Sequence, residues 1–332
     1  MPTDIVSFGE TMLRLTAPAG VRLERAPTLQ VYVGGSESNT LSCLARLGMH
    51  VKWFSALPAN PQGQHVASEL RRHGIDTSHI VWTDSSERLG IFYAEEASAP
   101  LGIQVYYDRA NSACALVNPD LVDYSVVDDA RMLHLTGITP ALSPQAHSVF
   151  QRLLQRAHEH NVPLAFDVNY RGKLWSAQAA AQTLAAACQQ ASVLFCARAD
   201  AVELWSCSGS AEQILRQLAQ RFTLAGQSKT LVLTLGKEGS AQLAHGEYSE
   251  EPSIPTESTS RFGSGDAFDA GYLYAYLYGP HYTTLQQAEP HVTPLAFGNA
   301  LAALKRCIAG DIAEITPDEV KMLLQKESSR FR

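Results

Sequence analysis

With 332 residues, 45% of them hydrophobic and 18% charged, the chain has enough apolar material for one large globular domain or a domain with a small appendage. A net charge of -7 argues against a nucleic-acid or anionic-membrane surface, so an anionic ligand would need a local cluster of Arg or Lys. The cysteines (43, 114, 188, 196, 207 and 307) form no C-x-x-C, and neither a signal peptide nor a membrane-length apolar run is visible; free thiols in a cytoplasmic protein are expected.

Residues 4–9 form an apolar run of strand length. Residues 10–33 are irregular, with strand character at 12–15 and 31–33. Gly34-Gly35-Ser36-Glu37-Ser38-Asn39 then leads into an amphipathic helix, 37–47. Its two glycines let a ligand approach the backbone, and Asn39 offers both a donor and an acceptor. A strand at 51–57 and a helix at 62–73 follow. Residues 88–108 break the alternation: 90–94 and 103–107 read as a hairpin with its turn near 100–102. Together, 10–33 and 88–108 predict a small sheet acting as a lid that excludes water; an extended edge of the main sheet is the alternative. At its end, Tyr107-Asp108-Arg109 puts a guanidinium within reach of an anionic substrate.

Further strands at 132–137, 163–168, 192–196 and 230–235 alternate with helices at 144–160, 177–190 and 211–225. Strands apolar on both faces and separated by helices predict a parallel, doubly wound sheet. Ligands of such folds gather at the carboxyl ends of the strands. Asp167, Asn169 and Arg171 sit at one such end, and a second arginine beside Arg109 suggests a carboxylate-bearing substrate. Thr234-Leu235-Gly236-Lys237-Glu238-Gly239 is a turn after a strand that fits the border of a nucleotide. The histidines show no metal-binding spacing, and no metal ligands are assigned.

Residues 261–271, Arg-Phe-Gly-Ser-Gly-Asp-Ala-Phe-Asp-Ala-Gly, carry the strongest signal. Gly263, Ser264 and Gly265 can present bare N–H groups to an anion, and Asp266 is expected to open a helix, 266–278, whose positive end favours phosphate. A carboxylate beside a phosphate cradle can take a proton from a hydroxyl attacking the phosphoryl group. A plain glycine turn with an aspartate cap is the alternative on this segment alone.

Taken together, these segments resemble the ribokinase-like (PfkB) sugar kinases over nearly the whole chain. Residues 34–39 are similar to the family's N-terminal signature and 263–268 to its C-terminal one. Within the family the resemblance is to 2-keto-3-deoxygluconate kinases, on residues 8–15, 106–113, 167–175, 261–266 and 303–311. It implies a ribokinase-like fold: a doubly wound, mostly parallel sheet flanked by helices (1–9, 34–87 and 109–332) with a small β lid (10–33 and 88–108). The implied activity is ATP-dependent phosphorylation of the 6-hydroxyl of 2-keto-3-deoxygluconate. Alternatives are fructose, 2-keto-3-deoxygalactonate or 5-keto-2-deoxygluconate as substrate, or a catalytically weak sugar-acid sensor.

The resemblance also implies roles. Asp266 is the base, and Gly263, Ser264 and Gly265 form the anion hole. Gly34, Gly35, Asn39, Tyr93, Tyr107, Arg109, Asn169 and Arg171 hold the sugar acid with Asp266. Asp200, Thr234, Gly236, Gly239, Gly263, Gly265 and Asn299 border ATP. Mg²⁺, a monovalent cation such as K⁺, and homo-oligomer contacts through the lid are further expectations. Three positions depart from the family pattern. Ser260 stands where an aspartate is usual, Ala197-Arg198-Ala199-Asp200 replaces N-x-x-E, and Ala59 lies in a segment that usually carries aspartate. These bear on cation and metal affinity and leave the base untouched.

Overall fold

The computed structural model describes residues 2–96, 102–257, 260–289 and 292–330. The first unit comprises β1 (Thr3–Phe8), β2 (Met12–Thr16), β3 (Gln30–Gly34), α1 (Ser36–Arg46), β4 (Val51–Phe54), β5 (Ala56–Pro58), α2 (Pro61–Arg72) and β6 (Val81–Thr83). The hairpin β7 (Ile91–Glu96) and β8 (Ile103–Asp108) follows. The alternating part runs through β9 (Ala130–Thr136), α3 (Pro144–Glu159), β10 (Leu164–Asp167), α4 (Ala177–Gln190), β11 (Val193–Ala197), α5 (Arg198–Trp205), α6 (Ala211–Phe222) and β12 (Thr230–Thr234). The chain ends with β13 (Gly239–Ala244), β14 (Glu247–Pro252), α7 (Ser264–Tyr276), α8 (Pro280–Ala288), α9 (Pro294–Arg306) and α10 (Pro317–Arg330).

The main sheet has eight strands in the order β14-β13-β12-β11-β10-β9-β1-β4. From β12 to β4 the pairing is parallel; β13 and β14 add an antiparallel edge. Strand alternation feeds two cores. Ile5, Phe195 and Val232 point into one, with α1, α7 and α9; Val6, Leu194 and Leu231 point into the other, with α3, α4 and α6. α7 is apolar nearly all round because it is buried on most sides. It crosses α9 closely: a Cβ at Gly271 would strike Leu301 Cδ1 and crowd the Cα of Gly298.

The two irregular stretches pair with each other in a separate sheet, β3-β2-β7-β8, rather than extending the main one. β2 runs parallel to β7, and the other pairs are antiparallel. The predicted hairpin is present, while most of its turn, 97–101, lies outside the described residues. The strand expected over 51–57 is instead two: the chain bends at Ser55, whose carbonyl accepts the Val81 N–H, and β5 pairs with β6. Beside Ala59, the Asn60 side chain accepts from the N–H groups of Gln62 and Gly63 and caps α2. All cysteines but Cys307 are buried, and none is in a disulfide. Among the described residues, no helix is long and apolar enough to cross a membrane.

Candidate active site

α7 begins at Ser264, two residues earlier than the sequence suggested, with Gly263 as its N-cap at φ 73°. Only a residue without Cβ fits there: the conformation is left-handed, and a Cβ would collide with the Asp311 carbonyl. This left-handed glycine cap sets the helix start and explains the difference. Asp266 is therefore the third helical residue, not the first, and the early N–H groups of the helix precede it. The N–H groups of Gly265 and Asp266 have no intrahelical acceptor, so the helix presents donors and its positive end together.

Both oxygens of Asp266 are engaged. Ser36 Oγ donates to Oδ1 at 2.7 Å, and Asn39 Nδ2 donates to Oδ2 at 2.7 Å. Ser36 in turn accepts from Asn169 Nδ2 at 2.8 Å. Asn169 adopts a left-handed backbone, φ 39°, which turns the chain after β10 toward the start of α1. A chain Asn169–Ser36–Asp266 thus orients the carboxylate from behind. Burial raises the pKa of Asp266, against the lowering effect of the bonds from Asn39 and Ser36. Removing one of those donors in Ser36→Ala is expected to move the acid limb of a pH–rate profile to higher pH. An unshifted limb would show that Ser36 does not tune this carboxylate. Glu37 and Asp167, both pushed up to about 7 chiefly by burial, also feel the charge of Asp266, so the readout is the direction in which the limb moves.

Two cavities meet at the start of α7. The first, about 110 Å³, lies under the small sheet. Gly34, Gly35, Asn39, Tyr107, Arg109, Arg171 and Asp266 line it, joined by Glu10, Phe92 and Phe262; Gly263, expected at the nucleotide border, lies on this wall instead, and Asn169 stands behind Ser36 rather than on the wall. Tyr93 is not among its walls. Alternation along β7 turns the neighbouring Phe92 to the cavity, so the expected Tyr93 contact falls one residue away. Arg109 is buried and already paired. Its Nε donates to Glu10 Oε2 at 2.7 Å and its Nη2 contacts the same oxygen, while Ser112 Oγ donates to Glu10 Oε1. Glu10 is itself buried, so the pair holds the guanidinium in a fixed orientation at the cavity wall. Arg171 is exposed by contrast.

The second cavity, about 530 Å³, is of the size that holds a cofactor-sized ligand. Thr234, Gly236, Gly239, Ser264, Gly265 and Asn299 line it together. Lys237, Arg261 and Arg306 also line it, which supplies the local positive charge that an acidic protein needs for an anion. Asn299 Nδ2 donates to the carbonyls of Glu251 and Pro252 at 3.2 and 3.1 Å, tying α9 to β14. Asp200 sits elsewhere: it accepts the Tyr170 N–H at 3.0 Å beside the loop after β10. Burial raises its pKa, with that bond and Arg171 opposing.

Glu10, Ser36, Glu37, Phe92, Phe262 and Asp311 escaped the sequence reading. Glu10 carried one available signal, a carboxylate at the carboxyl end of the first strand. The others depend on contacts between distant segments.

The chain matches the model of the pfkB family of carbohydrate kinases over residues 2–318. It is 38% identical to a 2-dehydro-3-deoxygalactonokinase of Haloferax volcanii, over 98% of both chains. It is 25% identical to a 5-dehydro-2-deoxygluconokinase of Bacillus subtilis, over 98% of this chain and 97% of the relative. Its fold superposes with a TM-score of 0.87 on a 2-dehydro-3-deoxygluconokinase of Thermotoga maritima, 26% identical, covering 97% of this chain and 99% of that one. With a glycine-capped helix start shared by two cavities and a match over nearly its full length, the chain belongs to the pfkB family of carbohydrate kinases.

Proposed function

We propose that the protein transfers the γ-phosphoryl group of ATP to the terminal hydroxyl of a 2-keto-3-deoxy sugar acid. The observation that carries this reading is the position of α7. Asp266 lies on the wall of the small cavity, Ser264 and Gly265 on the wall of the large one. A hydroxyl in the first can therefore face a phosphate in the second across one turn of helix. The substrate O–H gives its proton to Asp266 as its oxygen bonds to the γ-phosphorus, and the bond to the β-phosphate oxygen breaks to release ADP. The first N–H groups of α7, with Arg261 and Lys237, stabilise the charge on the phosphoryl oxygens. Mg²⁺ bound to the nucleotide phosphates would neutralise further charge.

Of the two C4 epimers, we place 2-keto-3-deoxygalactonate first, on the 38% identity to the Haloferax kinase. 2-Keto-3-deoxygluconate is the second reading, favoured by the sequence motifs and the Thermotoga fold neighbour. ADP release with Mg·ATP across both epimers, 5-keto-2-deoxygluconate, fructose and ribose tests this. Preference for a neutral sugar would discard the acid reading. Tight binding without ADP release would favour a sensor.

The arginines give a sharper check. Arg171→Ala, at an exposed position, is expected to raise KM for the keto acid with little change in thermal stability. Arg109→Ala should raise KM and also destabilise by roughly 3–5 kcal/mol, because it strands the buried Glu10 carboxylate. An unchanged KM in both would end the carboxylate clamp.

A further inference from the structure

Arg14 has no part in the proposed chemistry, yet its side chain is wholly buried. Its guanidinium lies between two rings, 4.4 Å from the centroid of Tyr32 and 4.3 Å from that of Phe262. Nη1 donates to Glu96 Oε1 at 3.1 Å. Nε stands 2.9 Å from Asp311 Oδ2, an ionic contact too bent to be a hydrogen bond. Burial of a full charge at this depth is costly without such partners.

The partners fall into two groups. Tyr32 and Glu96 belong to β3 and β7 of the small sheet. Phe262 and Asp311 belong to the body of the protein and meet at the anion hole. Phe262 directly precedes Gly263, and the Asp311 carbonyl is what a Cβ at Gly263 would strike. The Asp311 carboxyl also abuts Gly34, at the end of β3. Phe262 continues the stack onward, 6.0 Å from Phe92, which lies 5.7 Å from Tyr107. One planar cation therefore links the cover of the small cavity to the cap of α7. A lysine could supply the charge but not two stacking faces.

We propose that Arg14 is a positioning residue that couples the small sheet to the loop 261–263, so that covering the sugar and ordering the phosphate-binding N–H groups occur together. The inference rests on the proposed function only for what the two cavities hold; the coupling itself is a property of the fold. Lys173 Nζ donates to the Val105 carbonyl at 2.8 Å and lies 5.9 Å from the Tyr107 ring; it ties the small sheet to the body at the far end of the stack, without touching that loop, and provides the control.

The test is hydrogen–deuterium exchange of the full chain, read on wild type, Arg14→Lys, Phe262→Leu and Lys173→Ala. Arg14→Lys should speed exchange at 91–96 and at 261–267 together, by roughly fivefold or more, the lower end of measured couplings. α3 should stay unchanged. Phe262→Leu, acting from the body side, should speed exchange in β2, and Lys173→Ala should loosen β8 without affecting 261–267. Unchanged exchange at 261–267 in Arg14→Lys overturns the proposal, as does an equal response of that loop to Lys173→Ala. Should Arg14→Lys fail to fold, unchanged β2 exchange in Phe262→Leu overturns it. In kinetics, Arg14→Lys should lower kcat with KM for ATP and sugar acid little altered; a raised KM with intact kcat contradicts positioning. A wild type that phosphorylates no sugar acid would sink the functional reading, while the exchange results would still decide the coupling.

Discussion

Asp266→Asn is expected to lower kcat by roughly 10²- to 10⁴-fold, the usual contribution of a positioned general base. ATP affinity should stay within about twofold, since the amide removes no group from the nucleotide cavity wall. The substitution is close to isosteric and the surroundings can absorb it. Asn39 Nδ2 can still donate to the amide oxygen. The Ser36 hydroxyl can turn to accept from the new NH₂, because it already combines donor and acceptor roles with Asp266 and Asn169. Folding should therefore survive, and the lost rate would belong to the proton transfer. The wild-type profile should fall on the acid side through a pKa raised above the ordinary aspartate range by burial, since the base must be ionised to act. Steady-state ADP release from pH 5 to 9, with nucleotide binding by calorimetry, checks both statements. Near-normal turnover in Asp266→Asn would remove the base assignment and leave the anion hole as the main source of catalysis.

Much of the fold was legible because its strands are apolar on both faces. β9 and β11 could hardly be anything but central strands between helix layers, and the helices between them repeat at helical spacing. Partner choice was not legible. Nothing in the run 51–57 shows that Ser55 divides it between two sheets, because local period carries no information on which neighbour a strand meets. The same limit governed the site. Asp266 announced itself through the glycines around it. Ser36 carried no role of its own within the 34–39 segment, and only the fold brings it to Asp266, 230 residues away in sequence. Tyr93 and Phe92 are adjacent aromatics on one strand, and a hairpin without a fixed phase cannot say which of them faces inward. Nothing local in the strand-like run 12–15 marks Arg14 as buried; its burial comes from Phe262 and Asp311, which the topology alone places against it.

Gly263→Ala is expected to lower stability and turnover together. The residue holds a left-handed backbone at φ 73°, which costs an alanine about 1–2 kcal/mol by itself. The added Cβ would also meet the Asp311 carbonyl, so either the loop or the segment around Asp311 must move. Movement of the loop displaces the first N–H groups of α7 from the phosphoryl oxygens, and losing one such donor typically lowers kcat by roughly 10²- to 10³-fold. Gly265→Ala separates the two effects. A Cβ at Gly265 meets no atom within 4 Å, and its backbone is ordinary helix, so thermal stability should hold. That Cβ would nevertheless intrude on the nucleotide cavity, and KM for ATP should rise. Gly263→Asn probes the backbone term, since asparagine tolerates the left-handed region better than alanine. Equal damage from Asn and Ala would assign the loss to the collision with Asp311, and a milder Asn variant would assign it to the backbone. A Gly263→Ala protein with wild-type Tm and kcat would show that a residue without Cβ is not needed at the cap and that the loop does not hold the first N–H groups of α7 in place.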